Sequence, residues 1–292
     1  MGNFQDHSLT VPAQLEESRL DQFMIGNLPV SKQRIRRAIH EGGVYINRKR
    51  CRNIGQIVHS GETVRIVILD DERLVPFSEE QLIWKSPPFY LIHKRSGQYA
   101  QEALHRSQGT LPDELTRHLK LSSKDGVDLR PVHRLDRDTS GLMLFCSDSG
   151  KLDQLQKLWH SHVNKSYLAV VDPAPEWEKQ RITQPIGKRR DSRGCYRVDK
   201  TGRACDSEAE VIERRSGKAL IRLIPHTGRT HQLRIHLSYL GCPILGDSRY
   251  GGKKHRRLML HAEKLHIKPP ALGKNQRQEM RWTVEPEENW QW

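Results

Sequence analysis

The chain has 292 residues, and its 49 lysines and arginines exceed its 35 aspartates and glutamates by enough to give a formal net charge of +14. Its length predicts about two domains, and its charge makes a polyanion such as nucleic acid the first candidate partner. We find no apolar run near the ~18 residues that span a bilayer and no secretory leader, so we expect a cytoplasmic protein with no membrane partner. The five cysteines include no Cys-x-x-Cys pair, so we expect neither a zinc knuckle nor a disulfide framework.

The first seventy residues are predicted to form a flexible arm, residues 1–16, followed by a compact module, residues 17–70. Ser31 is expected to cap the second helix of this module, and the Gly42-Gly43 pair to end it. Alternation of Val44 and Ile46 with more polar positions is typical of a strand. The predicted helices and strands of the module are 18–25, 32–41, 44–47 and 63–69.

The second predicted helix and the turn after it are strongly basic, while Ile35 and Ile39 provide an apolar stripe at a spacing of four. A run of charge alone is typical of a solvated helix face. The stretch SKQRIRRAIHEGGVYINRKR, however, resembles the small RNA-binding module first known from ribosomal protein S4. The resemblance implies binding to structured RNA, with Arg34, Arg37 and Lys49 as the expected phosphate contacts.

Residues 71–86 are acidic and contain Pro76, so they are predicted to be a linker. The second domain, residues 87–292, is predicted to alternate short strands with helices. Its expected strands are 89–93, 142–146, 166–171, 208–213 and 219–224. Its expected helices are 109–120, 150–160 and 230–240.

The densest group of chemically useful side chains is PVHRLDRDTSG, residues 131–141, directly before the apolar stretch LMLF. A solvated loop with local ion pairs would have the same composition. Asp136 and Asp138 stand two residues apart, whereas a glycosidase needs its two carboxylates on opposite sides of the bond. The spacing therefore favours one carboxylate as a nucleophile and the other as local structure.

A second group is PHTGRTHQLRIH, residues 225–236. Gly228 permits an unusual backbone angle, Thr230 is the expected helix N-cap, and Leu233 and Leu237 should face inward. The three histidines are five residues apart with no carboxylate in a metal-binding pattern, so no metal site is predicted.

HRLDRDTSG followed by a strand resembles the signature of the RluA-type pseudouridine synthases. Three further blocks, KSYLAVV, IPHTGRTHQLRIHLSYLGCPILGD and LMLHAEKLHI, follow in that family's order. The resemblance covers residues 87–285. It implies an α+β fold with a mixed, largely antiparallel sheet flanked by helices. It also implies an enzyme that isomerises uridine in RNA without a cofactor.

The resemblance assigns roles at four positions. Asp136 corresponds to the catalytic aspartate, which attacks either C6 of the uracil or C1′ of the ribose. Arg134 corresponds to the residue that fills the space left by the flipped base. Tyr167 corresponds to the tyrosine that stacks on the uracil and serves in proton transfer from C5, and Arg234 to the cation that pairs with the aspartate.

Further substrate contacts are expected close to these four residues, namely Leu233, Arg229 and His231. The RNA-binding module and the basic charge favour ribosomal RNA over transfer RNA as the partner, and the protein is expected to be a monomer. One alternative is an RNA-binding ribosome-assembly factor with weak or incidental modification activity. A hydrolase that uses Asp136 and Asp138 together is the weakest alternative.

Overall fold

A computed structural model describes residues 4–15, 17–69, 74–121, 129–189, 195–273, 275–287 and 290–292. The chain divides into two compact units. The N-terminal unit comprises Met1–Phe77 and Tyr99–Leu121, and the main unit comprises Ser78–Gln98 and Ser122–Trp292. Within the described ranges, no helix is both long and apolar enough to cross a membrane.

The N-terminal unit contains a four-stranded antiparallel sheet in the order β1-β6-β3-β4, with a separate pair formed by β2 and β5. Helices α1 and α2 supply the apolar side chains that cover the sheet. The elements of this unit are β1 Phe4–Thr10, β2 Glu17–Arg19, α1 Leu20–Asn27, α2 Lys32–Glu41, β3 Val44–Ile46, β4 Lys49–Cys51, β5 Ile57–His59, β6 Thr63–Leu69 and α3 Leu111–His118.

Helix α2 has the bounds that its sequence predicts. The Ser31 side chain accepts a hydrogen bond from the backbone N–H of Arg34, and Gly42 ends the helix with a φ of +89°. A left-handed residue at a helix end favours glycine because glycine has no Cβ to clash. Ile35 and Ile39 are both fully buried, so the apolar stripe faces the core and most of the basic residues remain outside.

The prediction of a flexible arm over residues 1–16 is wrong for Phe4–Thr10. This segment is strand β1, which pairs with β6 in a continuous antiparallel register from Phe4 opposite Leu69 to Thr10 opposite Thr63. Arg65 on β6 also donates two hydrogen bonds of 2.9 Å to the carboxylate of Asp6. Backbone pairing and this ion pair hold the strand, so it needs little of the apolar alternation that predicts strands.

Tyr99–Leu121 belongs to the N-terminal unit, although the sequence places it in the second domain. Ser107 N–H donates to the carbonyl of Glu41 at 2.7 Å, and the Tyr45 hydroxyl donates to the carbonyl of Leu104 at 2.9 Å. Arg106 is almost fully buried and pairs with Glu41 at 2.8 Å. The segment is thus bound to the end of α2 by polar contacts, which carry no local sequence signal.

The main unit has fifteen named elements after Phe77 within the described ranges, most of them short strands. They are β7 Leu82–Ser86, β8 Phe89–Lys94, β9 Arg130–Pro131, β10 Ser140–Cys146, α4 Ser149–His162, β11 Val163–Val171, β12 Lys179–Ile182, β13 Ile186–Lys188, β14 Tyr196–Val198, β15 Ser207–Arg215, β16 Lys218–Pro225, α5 Gln232–Tyr239, β17 Leu260–Ile267 and β18 Met280–Thr283, with a 3₁₀ turn at Glu79–Gln81.

Ten described strands of the main unit form one large sheet in the order β12-β15-β16-β11-β17-β10-β8-β7, with β18 beside β17 and β9 beside β10, while β13 and β14 form a separate antiparallel pair. Among these strands only β10 and β17 pair in parallel. The predicted α+β fold with a mixed, largely antiparallel sheet is therefore confirmed. Strand β7 belongs to this sheet, so the linker predicted over 71–86 is wrong for Leu82–Ser86.

The start of β10 fixes where residues 131–141, the first motif group of the sequence, meet the sheet. Gly141 has a φ of +119°, and a Cβ at this position would overlap the backbone of Ala262 on β17. The rest of β10 is buried on both faces, and Leu142 and Leu144 pack with Leu155 and Trp159 of α4. The loop that ends at Gly141 therefore rests on the rigid centre of the sheet.

Candidate active site

A cleft of about 100 Å³ lies over the centre of the main-unit sheet. Three parts of the chain form its walls: the loop between β9 and β10, the strand β11, and the turn between β16 and α5. Each of the two motif groups supplies one wall. The predicted residues that line this cleft are Arg134, Asp136, Tyr167, Arg229, His231, Leu233 and Arg234.

The loop that carries Asp136 is held by a buried lysine on β8. The Lys94 ammonium donates to the carbonyls of Arg137 and Thr139 at 2.6 Å each, and its side chain is fully buried. Burial lowers the pKa of Lys94 to about 7, against the opposing attraction of Asp138 and Asp136. The carbonyl of Arg137 also accepts a hydrogen bond from the N–H of Gly97 at 2.9 Å. Together these bonds fix the backbone on either side of Asp138.

Asp136 is joined to Arg234 by a direct ion pair. The guanidinium donates from Nη1 to Oδ2 of Asp136 at 2.9 Å. Its other edge donates from Nε and Nη2 to both carboxylate oxygens of Asp247, at 2.7 and 2.8 Å. Two buried carboxylates on two sides leave the planar guanidinium one orientation, which is the geometry that arginine provides and lysine does not.

His231 lies on the other side of the Asp136 carboxylate. Its Nε2 is 3.7 Å from Oδ1 of Asp136, and its Nδ1 is 2.6 Å from the hydroxyl of Tyr250. Burial lowers the pKa of His231 to about 4, against the opposing charge of Asp136. The imidazole is therefore neutral at neutral pH, and donation from Tyr250 to Nδ1 would leave its proton on Nε2, towards Asp136.

The backbone at the start of α5 differs from the sequence prediction. His231, not Thr230, is the N-cap residue of the helix, and it has a left-handed φ of +57°. Gly228 is not among the residues with positive φ. A left-handed conformation in a residue other than glycine is strained, and here it directs the imidazole towards Tyr250 and Asp136.

Asp136 remains ionised although it is largely buried. Burial raises its pKa, but the attraction of His231 and Arg234, with the hydrogen bond from Arg234, outweighs this and lowers the pKa below 3.8. Since His231 is itself neutral above its own pKa of about 4, Arg234 is the cation that keeps the carboxylate charged at neutral pH.

Two residues of β11 complete the wall of the cleft. Tyr167 is 7% exposed, and both burial and the charge of Asp136 raise the pKa of its hydroxyl, so it is a neutral phenol at neutral pH. Lys165, two positions earlier on the same strand, lies 5.5 Å from the ring of Trp159. Burial lowers the pKa of Lys165 to about 8, so this cation of the cleft loses its charge more easily than the arginines beside it.

Other members of the first motif have local roles. Asp138 pairs with Arg137 at 2.8 Å, with both side chains more than 40% exposed, and it does not line the cleft. His133 accepts a hydrogen bond from the N–H of Leu144 and stacks on Trp159 at 4.9 Å between ring centroids. The arrangement gives no support to a hydrolase that uses Asp136 and Asp138 as a pair.

The predicted RNA contacts of the N-terminal unit do not all line the same groove. Arg34 and Arg37 line one groove together with Glu41, the end of β6 and His105. Arg37 also pairs with Glu41 at 2.9 Å. Lys49 is exposed on β4 but does not line this groove. The neighbouring Arg36, in contrast, pairs with the fully buried Asp21 at 3.0 Å and holds α2 against α1.

The sequence reasoning assigned no role to three residues that shape the site: Lys94, Asp247 and Tyr250. Asp247 is 2% exposed and reaches Arg234 from thirteen residues further along the chain. That separation follows no helical or strand period, so no local pattern predicts the contact. The one sequence signal for Asp247 was its position directly after a glycine in an apolar stretch.

Comparisons with known proteins identify the family of the chain. A family model described as RNA pseudouridylate synthase matches residues 88–239, and an S4 domain model matches residues 18–64. The chain belongs to the RNA pseudouridylate synthase family. It is thus an isomerase that converts uridine in RNA to pseudouridine, and it carries an S4 domain, as the sequence motifs imply.

Curated relatives match over most of the chain. An uncharacterized RNA pseudouridine synthase of Aquifex aeolicus (strain VF5) is 31% identical over 248 residues, 82% of this chain and 78% of its own. The ribosomal large subunit pseudouridine synthase C of Escherichia coli (strain K12) is 29% identical over 87% of this chain and 86% of its own. Human RNA Pseudouridylate Synthase Domain Containing 1 shares the fold, with a TM-score of 0.59 and 23% identity over 73% of this chain and 86% of its own.

Proposed function

We propose that this isomerase modifies uridine in large-subunit ribosomal RNA, with Asp136 as the nucleophile and Arg234 and Tyr167 as its catalytic partners. The observation that carries the proposal is the ion pair between Asp136 and Arg234 at 2.9 Å inside a cleft lined by Tyr167. An ionised carboxylate at the floor of a basic cleft is what nucleophilic attack on the nucleoside requires.

In the proposed reaction the Asp136 carboxylate attacks either C6 of the uracil or C1′ of the ribose. The bond between N1 and C1′ breaks, the uracil turns while it stays in the cleft, and C5 bonds to C1′. The carboxylate leaves as this product forms, and the proton on C5 moves to N1 of the base by way of the surrounding groups. Atoms and electrons balance within the nucleotide, so no oxidant, reductant or group carrier takes part.

Tyr167 is proposed to support the base and to take part in proton transfer from C5. Stacking on an aromatic ring stabilises a bound base by about 1–3 kcal/mol. Because the pKa of Tyr167 is raised, its hydroxyl can pass a proton on only if it gives up its own proton in the same step. The Asp136 carboxylate, which raises that pKa and is released late in the reaction, is the anion that can accept it.

The target uridine must leave its stack to reach Asp136, at a cost of a few kcal/mol. Arg134 is exposed at the rim of the cleft, two residues before the nucleophile. We propose that its side chain occupies the space that the base leaves. Arg229, His231 and Leu233, which also line the cleft, are proposed to contact the extruded nucleotide.

The proposal of ribosomal RNA rests on the name of the Escherichia coli relative, on the S4 domain and on the net charge of +14. We propose that Arg34, Arg37 and Lys49 contact phosphates of the folded RNA outside the catalytic cleft. A cytoplasmic monomer is proposed as the working form, with transfer RNA as the alternative substrate.

Release of tritium from RNA labelled at C5 of uridine tests the activity, because only isomerisation removes the label. The purified chain should release tritium from total RNA of cells that lack the enzyme, and free uracil should not appear. Carbodiimide mapping of pseudouridine in the same RNA, before and after treatment with the enzyme, should place the product in the large-subunit RNA. A product found only in transfer RNA would contradict the proposed substrate, and tritium retention would contradict the assigned reaction.

A further inference from the structure

A second groove, on the outer side of α5, is lined by three tyrosines and three arginines. We propose that it binds an unpaired nucleotide next to the target uridine in the same RNA strand, an inference that rests on the proposed function of the neighbouring cleft. The groove has a volume of about 470 Å³. The six side chains are Tyr196, Tyr239, Tyr250, Arg189, Arg197 and Arg249.

Three elements of the main unit form this groove. Strand β14 contributes Tyr196 and Arg197, the exposed side of α5 contributes Tyr239, and the turn after Asp247 contributes Arg249 and Tyr250. Tyr196 and Tyr250 both pack against the small apolar cluster around Ile235. The groove is therefore held by packed elements, and its two inner tyrosines have fixed positions.

The charge of the groove matches a polyanion. Its described lining includes no aspartate or glutamate, although Asp199 lies 4.0 Å from Arg197 at the edge. Arg197 is 62% exposed in its side chain, so it can reach a phosphate at little cost in desolvation. Arginine is well suited to phosphate because its planar fork can form two hydrogen bonds at once.

The tyrosines supply faces for a base. Tyr239 is 53% exposed, which is unusual for a large side chain on a well-packed helix. A base that stacks on an exposed ring is stabilised without any need for a particular sequence. Aromatic rings interleaved with arginines are the arrangement by which single-stranded nucleic acid is held.

The groove adjoins the catalytic cleft through the contacts of Tyr250 with two residues that line the cleft. Tyr250 lines the groove, its hydroxyl lies 2.6 Å from Nδ1 of His231 in the cleft, and the Arg234 guanidinium lies 5.0 Å from its ring centroid. Extrusion of the target uridine unstacks its neighbours in the strand. A neighbouring base held on the far side of Tyr250 would offset part of that cost.

The inference is tested on the full chain with total RNA, labelled at C5 of uridine, from cells that lack the enzyme. Tyr239→Leu should raise the apparent KM for tritium release roughly 5- to 150-fold, as the loss of one stacked base implies. Its kcat should stay within about two-fold, because the cleft keeps Asp136 and Arg234. Tyr239→Phe, which keeps the ring, should restore the KM of the unaltered chain.

A double change, Arg197→Gln with Arg249→Gln, should raise the KM and lower the salt dependence of log kcat/KM by roughly 0.7–0.9 for each phosphate that is no longer bound. Arg281→Gln, on the exposed strand β18, is the matched control and should leave both quantities unchanged. An unaltered KM in Tyr239→Leu and in the double variant would overturn the inference.

A crosslinking experiment separates this inference from the proposed function. RNA with 4-thiouridine one or two positions from the mapped pseudouridine should crosslink, on irradiation, to the peptides that hold Tyr196 or Tyr239. Crosslinks confined to other peptides would overturn the groove assignment while tritium release continues. If the unaltered chain releases no tritium at all, the proposed function fails instead, whatever the KM of the variants.

Discussion

Helices α2 and α5 both carry arginines next to a functional motif, but they present them in opposite ways. The Arg37 side chain on α2 is 57% exposed, whereas the Arg234 side chain on α5 is 10% exposed and lies between two carboxylates. Charges in water attract over a distance but are screened by salt within about 10 Å. A buried ion pair is screened far less and has a fixed geometry. The comparison supports the proposal that α2 gathers RNA and that α5 orients a single reacting group.

The largest expected effect on kcat is at Asp136, the proposed nucleophile. Asp136→Asn removes the negative charge but keeps the shape, so kcat should fall roughly 10⁴-fold or more, as for other covalent nucleophiles. RNA affinity, measured by filter binding, should change only a few-fold. Asp138→Asn is the matched control, since Asp138 faces Arg137 outside the cleft, and it should keep kcat within about three-fold. Substantial tritium release by Asp136→Asn would disprove the role of this residue.

The next effect tests what the phenol of Tyr167 contributes beyond its ring. Tyr167→Phe keeps the stacking face but removes the hydroxyl, so kcat should fall by about 10²–10⁴-fold, the usual contribution of a positioned proton-transfer group. KM should change little in this variant. Tyr167→Leu also removes the ring and should raise KM as well. An identical kcat in Tyr167→Phe and the unaltered chain would limit the tyrosine to stacking.

The third effect concerns the carboxylate that holds Arg234 from behind. Asp247→Asn leaves the buried guanidinium with one charged partner, which should lower the free energy of unfolding by about 3–5 kcal/mol in a thermal or urea titration. Because Arg234 would be free to turn from Asp136, kcat at 25 °C should fall about 10-fold. The matched change Asp172→Asn removes a carboxylate paired with the exposed Lys253 and should have a much smaller effect on stability.

The pH dependence sharpens the same comparison. Asp136 has a pKa below 3.8, so its ionised form, and any stability it adds, is present above that value and is lost as the pH falls through the folded pKa. The acid limb of kcat/KM should therefore lie below about pH 5 in the unaltered chain. In Asp247→Asn the limb should move to higher pH, because a displaced Arg234 holds the carboxylate less strongly. A limb that stays in place would show that Arg234 remains in position without Asp247.

The smallest effect is expected on α2. Arg34→Gln with Arg37→Gln should weaken RNA binding a few-fold and reduce the slope of log K against log salt by roughly 0.7–0.9 for each phosphate that the variant no longer binds. At saturating RNA, kcat should stay the same because the catalytic cleft is untouched. A fall in kcat with an unchanged salt slope would contradict the division of labour between the two helices.

Much of the fold follows from local patterns. The predicted strand over 219–224 and helix over 150–160 are within one or two residues of β16 and α4 at each end, because alternation and helical spacing survive in the buried residues. Strands β1 and β7 were missed, since they are held by backbone pairing to a neighbour and have few buried side chains. Local signals weaken where long-range partners provide the stability.

The residues of the site also divide into those that local patterns predict and those that they miss. Asp136, Tyr167 and Arg234 were predicted from their motifs, and the cleft contains all three. Asp247 and Lys94 were not predicted because their partners are distant in the chain, although Asp247 holds Arg234 and Lys94 holds the loop that carries Asp136. A motif identifies the reacting groups, whereas the groups that hold them still are found only once the strands are placed side by side.

The close parallel pairing of β10 with β17 at Gly141 has a consequence for mutant alleles. Gly141 does not line the cleft, yet any larger residue there would collide with Ala262 and tilt the loop that carries Asp136. An allele with alanine or serine at this position should therefore resemble a loss of Asp136 in cells: the protein accumulates, still captures its RNA, and leaves the uridine unmodified. Screens that measure only expression and RNA binding would classify such an allele as functional.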